Sequence, residues 1–146
     1  MASSPNPPVR ATAIWEAGLR FATDGTSGHR VTMDADRSSN AAPGPMEMVL
    51  RSLCGCTATD VAIVLNKARQ RWSGLVVSAE GERAVEPPEV FTRIRLHYRV
   101  RGEAVDANVV QRAIKLSQDK YCSVYAMLQR AATITHNVEI IAAAEL

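Results

Sequence analysis

Residues 45–66, PMEMVLRSLCGCTATDVAIVLN, leave little freedom in what must surround them. The stretch starts from a Pro43-Gly44-Pro45 breaker, and Pro45 suits the first helical turn, where its missing N–H is no loss. Between Met48 and Leu65 only Arg51 and Asp60 are charged, and apolar or small residues fall on every side of the helix. A helix that is apolar all round is a buried one. It approaches membrane-span length, but its two internal charges and Ser52, Thr57 and Thr59 argue against a span. The expectation is a central helix inside a soluble core, with Cys54 and Cys56 in its middle.

A chain of 146 residues has enough material to bury that helix within one domain. Its net charge of +2 is too small to point to nucleic acid or an acidic membrane surface. Arginines do not cluster with aromatics, which argues further against nucleic acid. No secretory leader pattern opens the chain. Three cysteines are an odd number and no disulfide framework. The expected compartment is a reducing cytoplasm, where thiols are buried, metal-bound or catalytic.

Residues 1–8, rich in Pro and Ser, read as a disordered tail, and residues 9–146 as a single domain. Strands are expected over 9–15, 19–23 and 30–34, as an antiparallel meander with a strong turn signal at Asp24-Gly25-Thr26-Ser27-Gly28. A polar loop over 37–44 then leads into the central helix. Beyond it, 67–71 is a basic helix terminus that complements the dipole. Strands follow over 75–82 and 90–100. In the latter, Arg93, Arg95, His97 and Arg99 alternate with Ile94, Leu96, Tyr98 and Val100, a period of two with a charged outer face. Asp106 can cap a helix over 107–118, a short helix follows over 122–132, and 133–142 closes the chain as a strand.

The thiols carry the chemistry that stands out. Cys54 and Cys56 point about 200° apart on a helix, so one should face a site while the other packs. Cys122 follows Tyr121 at an expected helix start, where backbone N–H groups and the dipole favour a thiolate. No metal is expected: His29, His97 and His136 are scattered and no Cys-x-x-Cys knuckle occurs. Free cysteines are also common core residues. On the residues alone, inert packing and a redox pair both stay open.

Two segments resemble a known family. GPMEMVLRSLCGCTATDVAIVLNKARQ resembles the signature of the OsmC/Ohr superfamily, its OsmC-like branch especially, in which a Pro-x-Glu-Leu-type helix start leads to a Leu-x-Gly-Cys-Thr centre and an Asp-Val. KYCSVYAML resembles its Tyr-Cys-Ser-Val element before a short helix. The resemblance covers nearly the whole chain after residue 8.

That resemblance implies an α+β fold, with antiparallel sheets wrapped around long central helices in an intertwined homodimer. It implies a peroxiredoxin-type, thiol-dependent hydroperoxide reductase without a cofactor, acting in oxidative or osmotic stress. By register Cys56 becomes the peroxidatic thiol, Cys122 the resolving thiol and Cys54 a packing residue. The partners implied are a peroxide and an external dithiol. In peroxidase members an arginine from the N-terminal strands, held by a glutamate at the start of the central helix, activates the thiol. Arg20 is the candidate by position, with Arg30 second. The position after Pro45 is Met46 here, and Glu47 comes one residue later, about 180° around the helix from Cys56. Glu47 therefore stands both as a substitute for that glutamate and as an ordinary first-turn acid. Asp60, one turn beyond Cys56, would raise a nearby thiol pKa unless paired. The alternative is a non-enzymatic member: a redox-sensing or small-molecule-binding dimer.

Overall fold

A computed structural model of the protein describes residues 5–143. The expected tail falls partly outside them; Pro5 to Pro8 are exposed and carry no regular structure. The described chain forms two compact units, divided between Val49 and Leu50.

The first unit is built on an antiparallel meander of β1 (Ala11–Ala17), β2 (Arg20–Gly25) and β3 (Val31–Asp34). Its elements are those expected, with ends displaced by one or two residues. The β1–β2 connection turns through Gly18 at φ +52°, a left-handed conformation that glycine adopts without strain. The polar loop that follows β3 is organised by Asp34. Its carboxylate accepts the Ser39 hydroxyl, the Asp36 N–H at 2.9 Å and the Ala41 N–H at 3.3 Å. These hydrogen bonds, with Ser39 the largest influence, hold the Asp34 carboxyl below the usual carboxylate range.

Helix α1 (Pro45–Lys67) crosses the division, and its buried residues, Leu53, Thr57, Val61 and Leu65, all lie in the second unit. The spacing of four makes one narrow stripe. The expectation of a helix covered on all sides is therefore not met by this chain alone; Ile63 is 47% exposed. By length and composition α1 could cross a membrane, yet its stripe is packed into this unit, which is compatible with a soluble protein. The helix ends in a Schellman-type turn: Gln70 N–H donates to the Leu65 carbonyl at 3.0 Å, with Arg69 at φ +55°.

The second sheet has the order β4 (Trp72–Arg83), β5 (Phe91–Gly102), β6 (Thr133–Ala142). Alternation along β5 is as expected: Ile94, Leu96, Tyr98 and Val100 are at most 1% exposed, and the arginines face outward. One feature differs from a purely antiparallel sheet. β6 runs parallel to β5, because a long helical crossover returns the chain to the same end. That crossover comprises α2 (Ala107–Leu116), a π-helical turn (Ser117–Tyr121) and α3 (Ser123–Leu128). Asp106 caps α2 by accepting the Asn108 N–H at 2.8 Å, and Val109, Val110, Ala113 and Ile114 form its buried face. The architecture is α+β, with two three-stranded sheets.

Candidate functional site

Within the second unit, Cys56 on the middle of α1 and Cys122 at the start of α3 are neighbours: after burial, Cys56 is the largest influence on the Cys122 thiol. Two thiols far apart in sequence thus share one site. Cys56 is half-buried, while Cys122 is 2% exposed. Cys54 points elsewhere on the helix, as the 200° separation requires, and burial pushes its thiol above the ordinary value. All three cysteines are free.

The route by which Cys122 reaches α1 is the π-helical turn. After Leu116 the helix widens by one residue per turn, and the Cys122 N–H donates to the Ser117 carbonyl at 2.8 Å. Cys122 then caps α3, its sulfur accepting the Tyr125 N–H at 3.3 Å. The expected helix over 107–118 is therefore shorter, and the turn that replaces its end presents the cysteine.

The electrostatics of Cys122 correct the expectation of a helix-start thiolate. Its pKa is pushed up from 9.0 to about 12, first by burial, then by the neighbouring Cys56 thiol, with the charge of Asp60 adding to the rise. The Tyr125 N–H acts in the opposite sense and is outweighed. Cys122 keeps its proton through the neutral range. Cys56 is the more accessible sulfur of the two.

Beneath the thiols runs a buried chain of hydroxyls. Tyr98 OH lies 2.7 Å from Thr57 Oγ1, Thr57 Oγ1 lies 2.9 Å from Ser117 Oγ, and Ser117 Oγ donates to Asp60 Oδ2 at 2.8 Å. A hydroxyl has one proton. Since Ser117 gives its proton to the carboxylate, Thr57 must donate to Ser117 and Tyr98 to Thr57. Gln118 acts on the Tyr98 hydroxyl and lies 3.3 Å from His136 Nδ1, and the His136 ring meets the Tyr98 ring edge-on at 5.9 Å. Asp60 is hydrogen-bonded by Ser117 but keeps its influence on the site: its charge adds to the rise of the Cys122 thiol.

Thr57, Tyr98 and Ser117 were not singled out from the sequence as site residues. A signal existed for two of them: Thr57 is the polar member of the Leu53, Val61, Leu65 stripe, and Tyr98 the polar-tipped member of the inner face of β5. A hydroxyl on each of two facing core stripes marks a buried hydrogen bond. Ser117 depends on the π turn and left no such trace.

Arg20 and Glu47 belong to the first unit. The Arg20 guanidinium lies 3.7 Å from Glu16 in an exposed pair and acts on the Asp34 carboxylate. Glu47 is the acid in the first turn of α1. Arg30 is held by both oxygens of Asp24 at 2.8 Å. Among the described residues no group of three or more His, Cys, Asp or Glu side chains could hold a metal ion.

Beside the site, on the C-terminal half of α1, Asp60, Ile63, Val64 and Lys67 form one wall of an open groove of about 490 Å³. Arg112, Leu116 and Tyr121 form the facing wall.

A fold of this kind, with a thiol in mid-helix facing a second on a short following helix, defines a class. The family pattern of OsmC, the OsmC-like proteins, matches residues 30–137. The chain is 44% identical over 135 residues to protein YhfA of Escherichia coli K12, spanning 92% of this chain and all of that protein. The chain belongs to the OsmC-like family. Its fold is also similar to the crystal structure of an OsmC-like protein from Mycoplasma pneumoniae, at TM-score 0.81 and 17% identity over 94% of this chain and 99% of that one. An organic hydroperoxide resistance protein OsmC from Legionella pneumophila is similar at TM-score 0.69 and 14% identity, over 93% and 99% of the two chains.

Proposed function

We propose that the protein is a thiol-dependent peroxidase that reduces organic hydroperoxides or hydrogen peroxide with Cys56 and Cys122, in the cytoplasm, as part of stress defence. The observation that carries this reading is the proximity of Cys56 and Cys122, two sulfurs from distant parts of the chain close enough for one to act on the proton of the other. Family membership and the hydroperoxide-resistance protein among its structural neighbours support the choice of substrate.

In the first step the Cys56 thiolate attacks one oxygen of the peroxide. An S–O bond forms, the O–O bond breaks, and the alcohol or water leaves with a proton, so that Cys56 becomes a sulfenic acid. Cys122 then attacks that sulfur. The S–S bond forms, and the hydroxyl leaves as water with the proton of Cys122. An external dithiol returns two electrons and two protons and is itself oxidised to a disulfide. Arg20 supplies positive charge to Cys56, and Glu47 serves as its carboxylate partner in place of the usual glutamate. No cofactor, membrane or nucleic acid takes part.

The working form in this reading is an intertwined homodimer in which residues 9–146 act as one domain. Exposed apolar side chains support it: Trp15 is 64% exposed, Ile14 47% and Val76 55%, and α1 is buried along one stripe only. A second reading, a small-molecule-binding or redox-sensing dimer without turnover, is favoured by the groove beside Asp60.

The test is stopped-flow kinetics of the reduced protein with cumene hydroperoxide and with hydrogen peroxide. Rapid peroxide loss that Cys56→Ser abolishes supports the peroxidase. Thiols that survive excess peroxide for minutes refute it and turn attention to the groove.

A further inference from the structure

The resolving step poses a problem that Cys56 and Cys122 cannot solve between them. Cys122 is buried, carries its proton at neutral pH, and must lose it to attack Cys56. Once Cys56 is oxidised its sulfur is no longer a thiolate that could take that proton. A base is needed close by.

The geometry supplies one carboxylate. Asp60 lies one turn beyond Cys56 on α1, within electrostatic reach of Cys122. Its Oδ2 is occupied by the Ser117 hydroxyl at 2.8 Å. Ser117 in turn is fixed on both sides: its Oγ lies 2.9 Å from Thr57, the neighbour of Cys56, and its carbonyl accepts the Cys122 N–H at 2.8 Å. One residue therefore ties the carboxylate, the Cys56 segment and the Cys122 segment together. All the hydroxyl protons of the Tyr98–Thr57–Ser117 chain run toward the Asp60 carboxylate. The titratable groups around Cys122 are Cys56 and Asp60 from α1, Tyr98 from β5 and Tyr125 from α3, with Asp119 of the π turn acting on Tyr125 and His136 of β6 against Tyr98. Tyr98 and Tyr125 are both shifted up, first by burial, and stay neutral. They offer no base.

We propose that the Asp60 carboxylate, aimed by the Ser117 hydroxyl, takes the Cys122 proton as Cys122 attacks Cys56, directly or through one water, and returns it to the departing hydroxide as water. Ser117 is the positioning residue of this step. Atoms balance: the S–S bond forms, the S–O bond of the sulfenic acid breaks, and one water leaves. The proposal rests on the reading of Cys56 and Cys122 as a redox couple, but it can be tested without peroxide.

The experiment uses the full chain with Cys54→Ala, charging Cys56 with thionitrobenzoate from Ellman's reagent. Attack by Cys122 then releases the coloured thiolate, and the released proton passes through Asp60 to solvent. Asp60 has two opposed effects that fix the sign. As a mere negative charge it holds Cys122 protonated, so Asp60→Asn would speed release. As the base it promotes release, so Asp60→Asn would slow it. The expected result is release slower by about tenfold or more in Asp60→Asn at neutral pH. Its rate should then climb with pH toward the parent's. Ser117→Ala should slow release as well, and Ser117→Thr should restore it. Release from Asp60→Asn as fast as the parent, or faster, overturns the proposal. If Asp60→Asn does not fold, the Ser117 pair decides: equal rates in Ser117→Ala and Ser117→Thr overturn it. A fast release with no reaction toward peroxide would refute the peroxidase reading while leaving Asp60 its role.

Discussion

The hydroxyl of Tyr98, on the central strand of the second sheet, lies 2.7 Å from Thr57 Oγ1, on the residue after Cys56. Both side chains are fully buried. The contact sets the rotation of α1 against β5 at the level of the candidate nucleophile. Because the proton of Tyr98 is donated to Thr57, removing either partner has unequal consequences.

Tyr98→Phe removes a donor and leaves Thr57 able to donate to Ser117, so it should cost about 1 kcal/mol. Thr57→Val strands the Tyr98 donor and the Ser117 acceptor together and should cost more, on the order of 2–3 kcal/mol. Urea denaturation of the two single variants and the double variant checks this. The double should lose less than the sum, because the two residues share one bond.

Stability should fall as the solution is made alkaline. Cys122 has a folded pKa of about 12, raised above its ordinary 9.0. Between those values the unfolded chain sheds this proton while the folded one keeps it, so the contribution is complete below pH 9 and declines as pH rises. Cys54, Tyr98 and Tyr125 are shifted in the same direction and add to the trend. Denaturation midpoints from pH 7 upward should decline in the parent and less steeply in Cys122→Ser. A parallel decline would contradict the shift at Cys122.

Backbone packing beneath β5 makes a separate prediction. A Cβ on Gly102 would sit 2.3 Å from the Arg71 carbonyl oxygen and 2.7 Å from the Trp72 Cα, neither of which can swing away. Gly102→Ala should therefore destabilise by about 1–3 kcal/mol. By contrast, Arg69 closes α1 at φ +55°, where an L side chain is strained. Arg69→Gly should stabilise, by up to about 1 kcal/mol, and thermal melts of both variants against the parent check the two signs.

Local patterns made most of the fold legible. The alternation of β5, the Asp106 cap and the Pro-started helix depend on neighbours in sequence, and each stands where periodicity placed it. The parallel pairing of β6 was harder to read, because its residues carry the same alternation whichever way the strand runs. Strand direction follows from the length of the crossover. At the site, motif register singled out Cys56 and Cys122, and the fold brings them together. What the residues alone did not disclose was the protonation of Cys122. A helix start favours a thiolate, but burial and a second sulfur outweigh one backbone N–H, and both depend on tertiary contacts. Ser117 escaped notice for a related reason: only a π turn carries it inward, and a polar SQDK run reads as surface.

The pairing of Cys56 with Cys122 is open to one decisive measurement: peptide mapping of the reduced protein after a single equivalent of cumene hydroperoxide, with free thiols alkylated before digestion. A disulfide joining the Cys56 peptide to the Cys122 peptide, with Cys54 alkylated, is the predicted result. A bridge that includes Cys54, or three alkylated cysteines, would contradict it.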